Sequence, residues 1–123
     1  MSVDQRLLLV TSDDEVGRAL HEAFGPALAV TTARSAEEAL AHLGARYYAI
    51  LLADYALPDR DGAWLLAETK RVAPWARRVL LSATAVPELF ELSDAGVIEL
   101  FVPKPLDPEE LRPYLPPAAP AGA

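Results

Sequence analysis

Two hydrophobic periods alternate along this chain. Short apolar runs of strand length fall at Arg6 to Val10, Leu28 to Thr32, Tyr48 to Ala53, Val79 to Ser82 and Ile98 to Val102. Between them the apolar positions recur at helical spacing. Asp14 to Phe24 places Val16, Ala19, Leu20, Ala23 and Phe24 on one stripe, and Gly25-Pro26 ends that segment. Ser35 opens the next helix, and Glu38 completes a capping box with it. Ala36, Ala39, Leu40 and Leu43 form its inner stripe, and Gly44 is expected to stop it. Gly62 to Val72 turns Leu65, Leu66 and Thr69 inward and closes at Pro74. Pro87 to Ala95 closes near Gly96, and Asp107, Pro108 and Glu110 make a last helix start.

Strand and helix patterns in strict alternation predict an α/β fold: a doubly wound, five-stranded parallel sheet with helices on both faces. Tyr48 to Ala53 is the most apolar run and belongs at the centre, buried on both sides. Pro113 interrupts the last helix. An interior proline removes a hydrogen bond and costs ~3 kcal/mol. This helix should therefore be shortened, stopping or kinking near Arg112, which also argues against a stable dimer built on it. Residues 1–115 read as one domain and residues 116–123 as a Pro/Ala-rich tail, disordered or a linker.

Composition changes this picture mainly by exclusion. The chain has 123 residues and a net charge of −7, so it lacks the basic footprint of a nucleic-acid binder. It has no cysteine, hence no disulfide framework and no thiolate metal site. The apolar runs are far too short to span a membrane, and Met1 to Gln5 carries no signal-peptide pattern. The expectation is a cytoplasmic chain with neither nucleic-acid nor membrane partners. His21 and His42 lie on different helices without partners at metal spacing and read as solvated. Trp64 and Trp75 read as ordinary surface aromatics.

In parallel α/β sheets, polar chemistry collects at the carboxyl ends of the strands. Here those ends carry Thr11, Ser12 and Asp13, then Asp54, Ser82 and Lys104. A carboxylate, a hydroxyl and an ammonium therefore converge. No nucleophile–base pair, metal cluster or Gly-rich phosphate loop supports an enzyme such as a hydrolase.

On these residues the chain resembles the response-regulator receiver family of two-component signalling, from Arg6 to Arg112. Asp54 closes an apolar strand as that family's phospho-acceptor does, and Pro58 and Gly62 follow it in a similar loop. Leu80-Leu81-Ser82-Ala83 and Phe101-Val102-Pro103-Lys104-Pro105 resemble the ends of the fourth and fifth strands. The stretch from Arg78 to Asp107 also looks like the receivers attached to hydrogenase-type regulators and to cyclic-dinucleotide phosphodiesterases.

The resemblance implies that Asp54 takes a phosphoryl group from a sensor histidine kinase or phosphotransfer protein. Positioning and cations carry most of such a transfer. Ser82 and Lys104 would hold phosphoryl oxygens and Phe101 would be the switch aromatic. Asp54 and the carbonyl of Ala56 would be ligands of Mg²⁺. Asp13-Asp14 looks at first like the family's metal-binding acid pair. If Val16, Ala19 and Leu20 fill the buried helix positions without a gap, the pair falls instead on Thr11 and Ser12. Mg²⁺ would then bind weakly, with Ser12 or Asp13 as a substitute ligand. Two readings follow: a phosphorylation-dependent switch, or a pseudo-receiver that serves as an interaction module without phosphate.

Overall fold

A computed structural model describes residues 6–25 and 28–115. Five parallel strands lie in the order β2-β1-β3-β4-β5. They are β1 (Arg6–Val10), β2 (Ala29–Ala33), β3 (Ile50–Asp54), β4 (Arg77–Ser82) and β5 (Leu100–Pro103). The helices are α1 (Asp14–Phe24), α2 (Ala36–Ala45), α3 (Gly62–Val72) and α4 (Leu89–Asp94), followed by a 3₁₀ helix over Pro108–Tyr114. β3 is central and wholly buried, as its composition requires.

Strand alternation divides the core into two layers. Leu7 and Leu9, Ile50 and Leu52, Val79 and Leu81, and Val102 meet Val16, Leu20 and Phe24 of α1 and Leu111 of the 3₁₀ helix. Leu8 and Val10, Leu51 and Ala53, and Leu80 meet Ala36 and Ala39 of α2 and Leu65 and Leu66 of α3. α1 and α3 have the expected bounds. Their caps are side-chain oxygens: Asp13 accepts from the Glu15 amide, and Asp61 from the Trp64 amide. Ser35 caps α2 through the Glu38 amide, while the Glu38 carboxylate accepts from the Arg34 amide one residue before the cap.

Several boundaries differ from expectation. Gly44 does not stop α2, which runs through Ala45 and ends at Arg46. Gly44 sits in open space on the exposed side, so only its lower propensity opposes the helix, by ~1 kcal/mol. β3 starts at Ile50 rather than Tyr48, because Ala49 is where the Arg6 carbonyl first accepts a bond from this segment. β2, β4, α4 and β5 are displaced by one or two residues at their ends, where fraying decides the limit. The last helix is short as expected, but it is 3₁₀ and continues past Arg112 through Pro113 to Tyr114. Asp107 caps it through the Glu109 amide, and Leu111 plugs it into the α1 layer. Residues 116–123, expected as a tail, lie outside the described residues.

Candidate functional site

The alternation that builds the α1 layer also sets the site. Continuing Leu7, Leu9 gives Thr11; continuing Ile50, Leu52 gives Asp54; continuing Val102 gives Lys104. These three side chains meet at the carboxyl edge of the sheet. The Lys104 ammonium lies 2.9 Å from Asp54 Oδ1 and 3.8 Å from an oxygen of Asp13. The Thr11 hydroxyl donates to Asp54 Oδ2. Asp54 and Thr11 are both buried, and Oδ1 receives no aligned hydrogen bond, so Lys104 is its sole counter-charge among the described residues.

Asp13 also accepts from the Glu15 amide as the α1 cap, and its own amide donates to Thr11 Oγ1. Thr11 thus stands beside Asp54 at the end of β1, and Asp14 opens α1 and pairs with Arg34 at 2.7 Å. Ser12 is exposed, its carbonyl accepts from the Arg34 guanidinium, and its hydroxyl makes no hydrogen bond to Asp54.

Ser82 is one residue beyond Leu81, the partner of Asp54 across β3 and β4. It is buried, yet it makes no hydrogen bond to Asp54. Its hydroxyl donates to the Thr84 carbonyl at 2.8 Å and accepts from the Thr84 amide at 3.0 Å. By alternation it falls in the layer of Leu80 and Phe101, neighbours in the β4–β5 ladder. Phe101 is partly buried against that layer.

The loop after β3 is held at both ends. Gly62 donates to the Tyr55 carbonyl, and a Cβ there would stand 2.2 Å from the Asp54 carbonyl oxygen. Only glycine lets α3 start this close to the acceptor strand. Ala56 and Pro58 are exposed within this loop, where Ala56 bridges Asp61. Asp59 reaches across to α2, accepting from the amides of Ala36 and Glu37 at 2.9 Å each. Those two bonds hold its carboxyl below the usual range, against a smaller opposing effect of burial. The Tyr55 hydroxyl donates to Glu88 at 2.9 Å, tying the loop to the start of α4 and raising the phenol above its ordinary value, chiefly through that bond. Composition and spacing did not reveal the roles of Asp59, Tyr55, Glu88 and Thr84. Each depends on which loops meet in space.

The resemblance implies that Mg²⁺ would bind at an acidic pocket. Here the pocket's carboxylates are Asp54 and Asp13, and both already face Lys104. No group of three His, Asp or Glu side chains among the described residues could hold a metal. With a threonine hydroxyl where a second carboxylate would serve the ion, this donor set does not fit a tight Mg²⁺ centre. The two histidines are peripheral: His21 is exposed beside Thr32, and His42 lies 3.8 Å from Glu38. Trp64 is half-buried beneath the Arg60 guanidinium.

Comparison with known proteins agrees with the geometry. The alginate biosynthesis transcriptional regulatory protein AlgB of Pseudomonas aeruginosa is 31% identical over 109 residues, covering 87% of this chain. The chain spans only 24% of that relative's length. Among solved structures, a CheY-like receiver domain protein from Methanospirillum hungatei JF-1 superposes with a TM-score of 0.83 at 24% identity, covering 92% of this chain and 90% of the other. The signal receiver domain of an HD domain-containing protein from Pseudomonas fluorescens Pf-5 gives 0.80 at 29% identity, covering 93% and 85%. No helix among the described residues is long and apolar enough to cross a membrane. Residues 7–115 match the family described as response regulator receiver domain, and with Asp54 and Lys104 paired at the sheet edge, the chain belongs to that family of signalling modules.

Proposed function

We propose that the chain is a phospho-accepting switch of a cytoplasmic two-component relay, loaded on Asp54 by a histidine kinase or phosphotransfer protein. The observation that supports this best is the buried Asp54 carboxylate with the Lys104 ammonium 2.9 Å from Oδ1. Thr11 holds Oδ2, which leaves Oδ1 as the nucleophile. The donor's P–N bond breaks as the Oδ1–P bond forms, and the departing imidazole keeps the electron pair. Because Oδ1 is covered, the ammonium must swing off the carboxylate as the donor arrives. It then meets a phosphoryl oxygen and offsets charge developing there.

The same displacement gives Ser82 a reason to move. Its hydroxyl would exchange Thr84 for a phosphoryl oxygen, and space would open beside Phe101 in the layer they share. α4 is short, has no side-chain cap bond and has no buried residue, so it is the element least costly to shift. The partner-binding surface of this reading is therefore the one around α4.

The test is intact-mass spectrometry after incubation with a phosphorylated histidine phosphotransfer domain. One added phosphoryl group is expected on the wild type and none on Asp54→Asn. Equal loading of both would remove Asp54 from the role.

A further inference from the structure

The two ends of α4 are held unequally. None of its residues is fully buried, although Leu89 and Leu92 lean on the inner layer, so the bonds at its ends weigh heavily in where it lies. At the far end the Lys70 ammonium donates to the Ala95 carbonyl at 2.6 Å. Arg78 donates there to the Gly96 and Val97 carbonyls at 3.1 and 2.9 Å. Two cations, Arg78 itself buried, therefore fix the turn that leads from α4 toward β5. At the near end, among the described residues, a single side-chain bond holds the helix start: the Tyr55 hydroxyl donates to Glu88 at 2.9 Å. A short helix with a firm far end and one bond at its near end can pivot about the firm end.

The two partners of that near bond differ in how they are held. The Tyr55 amide donates to the Leu81 carbonyl and the Tyr55 carbonyl accepts from the Gly62 amide, both at 2.7 Å. Its ring lies in the same layer as Leu89, Leu92 and Phe101. Tyr55 is thus the fixed partner, one residue from the acceptor. Glu88 stands at the N-cap position of α4, yet its carboxylate makes no bond to the helix amides, so no cap competes with Tyr55 for it. Residues 83–87 connect Glu88 to Ser82. Within them the Ser82 hydroxyl holds Thr84 through both its carbonyl and its amide. Once Ser82 exchanges Thr84 for a phosphoryl oxygen, this connection loses one of its two side-chain hydrogen-bonding anchors. The anchor that remains is Tyr55–Glu88.

We propose that the Tyr55–Glu88 bond is a latch, which keeps the near end of α4 in its resting place and sets how readily the helix pivots about Ala95–Val97 when Asp54 is phosphorylated. The inference rests on the phosphoryl reading for its trigger and adds the residue pair that resists it. A bond made only in the resting state opposes the switched state, so weakening it must favour loading by the same factor.

The experiment uses the full chain. Tyr55→Phe keeps the ring and removes only the hydroxyl, while Glu88→Gln keeps an acceptor and Glu88→Ala does not. Amide hydrogen exchange of the unphosphorylated protein is followed by NMR. In Tyr55→Phe and Glu88→Ala the Leu92 amide, bonded to the Glu88 carbonyl, is expected to exchange about tenfold faster. The Glu99 amide beyond the pivot, bonded to the Arg78 carbonyl, should not change. Glu88→Gln should recover most of the protection, and Tyr55→Phe/Glu88→Ala should exchange no faster than either single variant. At equilibrium with a phosphorylated histidine phosphotransfer domain, Tyr55→Phe should carry a ratio of phosphorylated to free Asp54 about tenfold above wild type. With the wild type loading, an unchanged Leu92 amide, equal acceleration at Leu92 and Glu99, or an unchanged loading ratio would overturn the latch alone. A wild type that takes no phosphoryl group would overturn the phosphoryl reading, and the latch with it, whatever the exchange rates show.

Discussion

Thr11 occupies a place where a carboxylate would both repel Asp54 and attract a divalent ion, and the Thr11→Asp/Ser12→Asp variant separates those effects. In the absence of metal, a unit charge ~4 Å from Asp54 costs roughly 4 kcal/mol gross at an effective dielectric of ~20. Loss of the Thr11 hydroxyl's bond to a charged acceptor adds ~1.5–3 kcal/mol. Lys104 offsets part of this, yet several kcal/mol is a large share of the ~5–15 kcal/mol that holds a domain together. With Mg²⁺, each carboxylate gains roughly 8 kcal/mol of gross attraction to the ion, most of it cancelled by desolvation. The assay is thermal melting in EDTA and in excess Mg²⁺. Without metal the double variant should melt well below the wild type. With Mg²⁺ at ~100 times Kd it should recover about 2.7 kcal/mol, or roughly 10 °C. The wild type should move by less than about 2 °C, because its donor set gains little from the ion. Should Mg²⁺ raise the wild-type melting temperature as much as the variant's, Asp13 is an effective ligand and the reasoning from Thr11 fails.

Other expectations follow from single contacts. Arg78 is buried and donates to the carbonyls of Pro74, Ala76, Gly96 and Val97, with burial pulling its pKa below the usual value. Arg78→Met should cost ~3 kcal/mol or more by orphaning these acceptors, and Arg78→Lys should not rescue it, since one ammonium cannot span the fork; a denaturation midpoint within ~0.5 kcal/mol of wild type would contradict this. Gly62→Ala should cost ~1–3 kcal/mol, because its Cβ collides with the Asp54 backbone, and should slow loading of Asp54; melting and loading rates check both. Asp59 has a lowered folded-state pKa, so its hold on α2 is present above the ordinary carboxylate range and is lost as pH falls through the lowered value. Asp59→Ala should therefore flatten the acid limb of the stability profile, measured as urea midpoint against pH; an unchanged limb would show that Asp59 contributes nothing there.

The fold was legible because its periods are local. Val16, Leu20 and Phe24 mark one face of α1 in any context, and the capping oxygens of Asp13 and Ser35 act within three residues. Asp54 and Lys104 were legible through the strand-end rule, which converts sequence order into spatial proximity. The 3₁₀ helix was not, because Leu111 packing against the α1 layer outweighs the local preference of Pro113. Nor was the Thr11–Asp54 bond, although Thr11 was already placed at the site: a hydroxyl's partner depends on a side chain 43 residues away. Nor was the burial of Arg78, since the carbonyls it collects belong to two loops that only the folded chain joins.

The claim that Asp54 is the acceptor is tested most directly by trapping its acyl phosphate. Borohydride reduces an aspartyl phosphate to homoserine, and peptide mass spectrometry then locates the altered residue. After incubation with a phosphorylated histidine phosphotransfer domain, homoserine is expected at position 54 alone. Lys104→Met should lower its yield at least about tenfold, since the cation facing Oδ1 is gone. Homoserine at Asp13, Asp59 or Asp61, or an undiminished yield in Lys104→Met, would contradict the assignment.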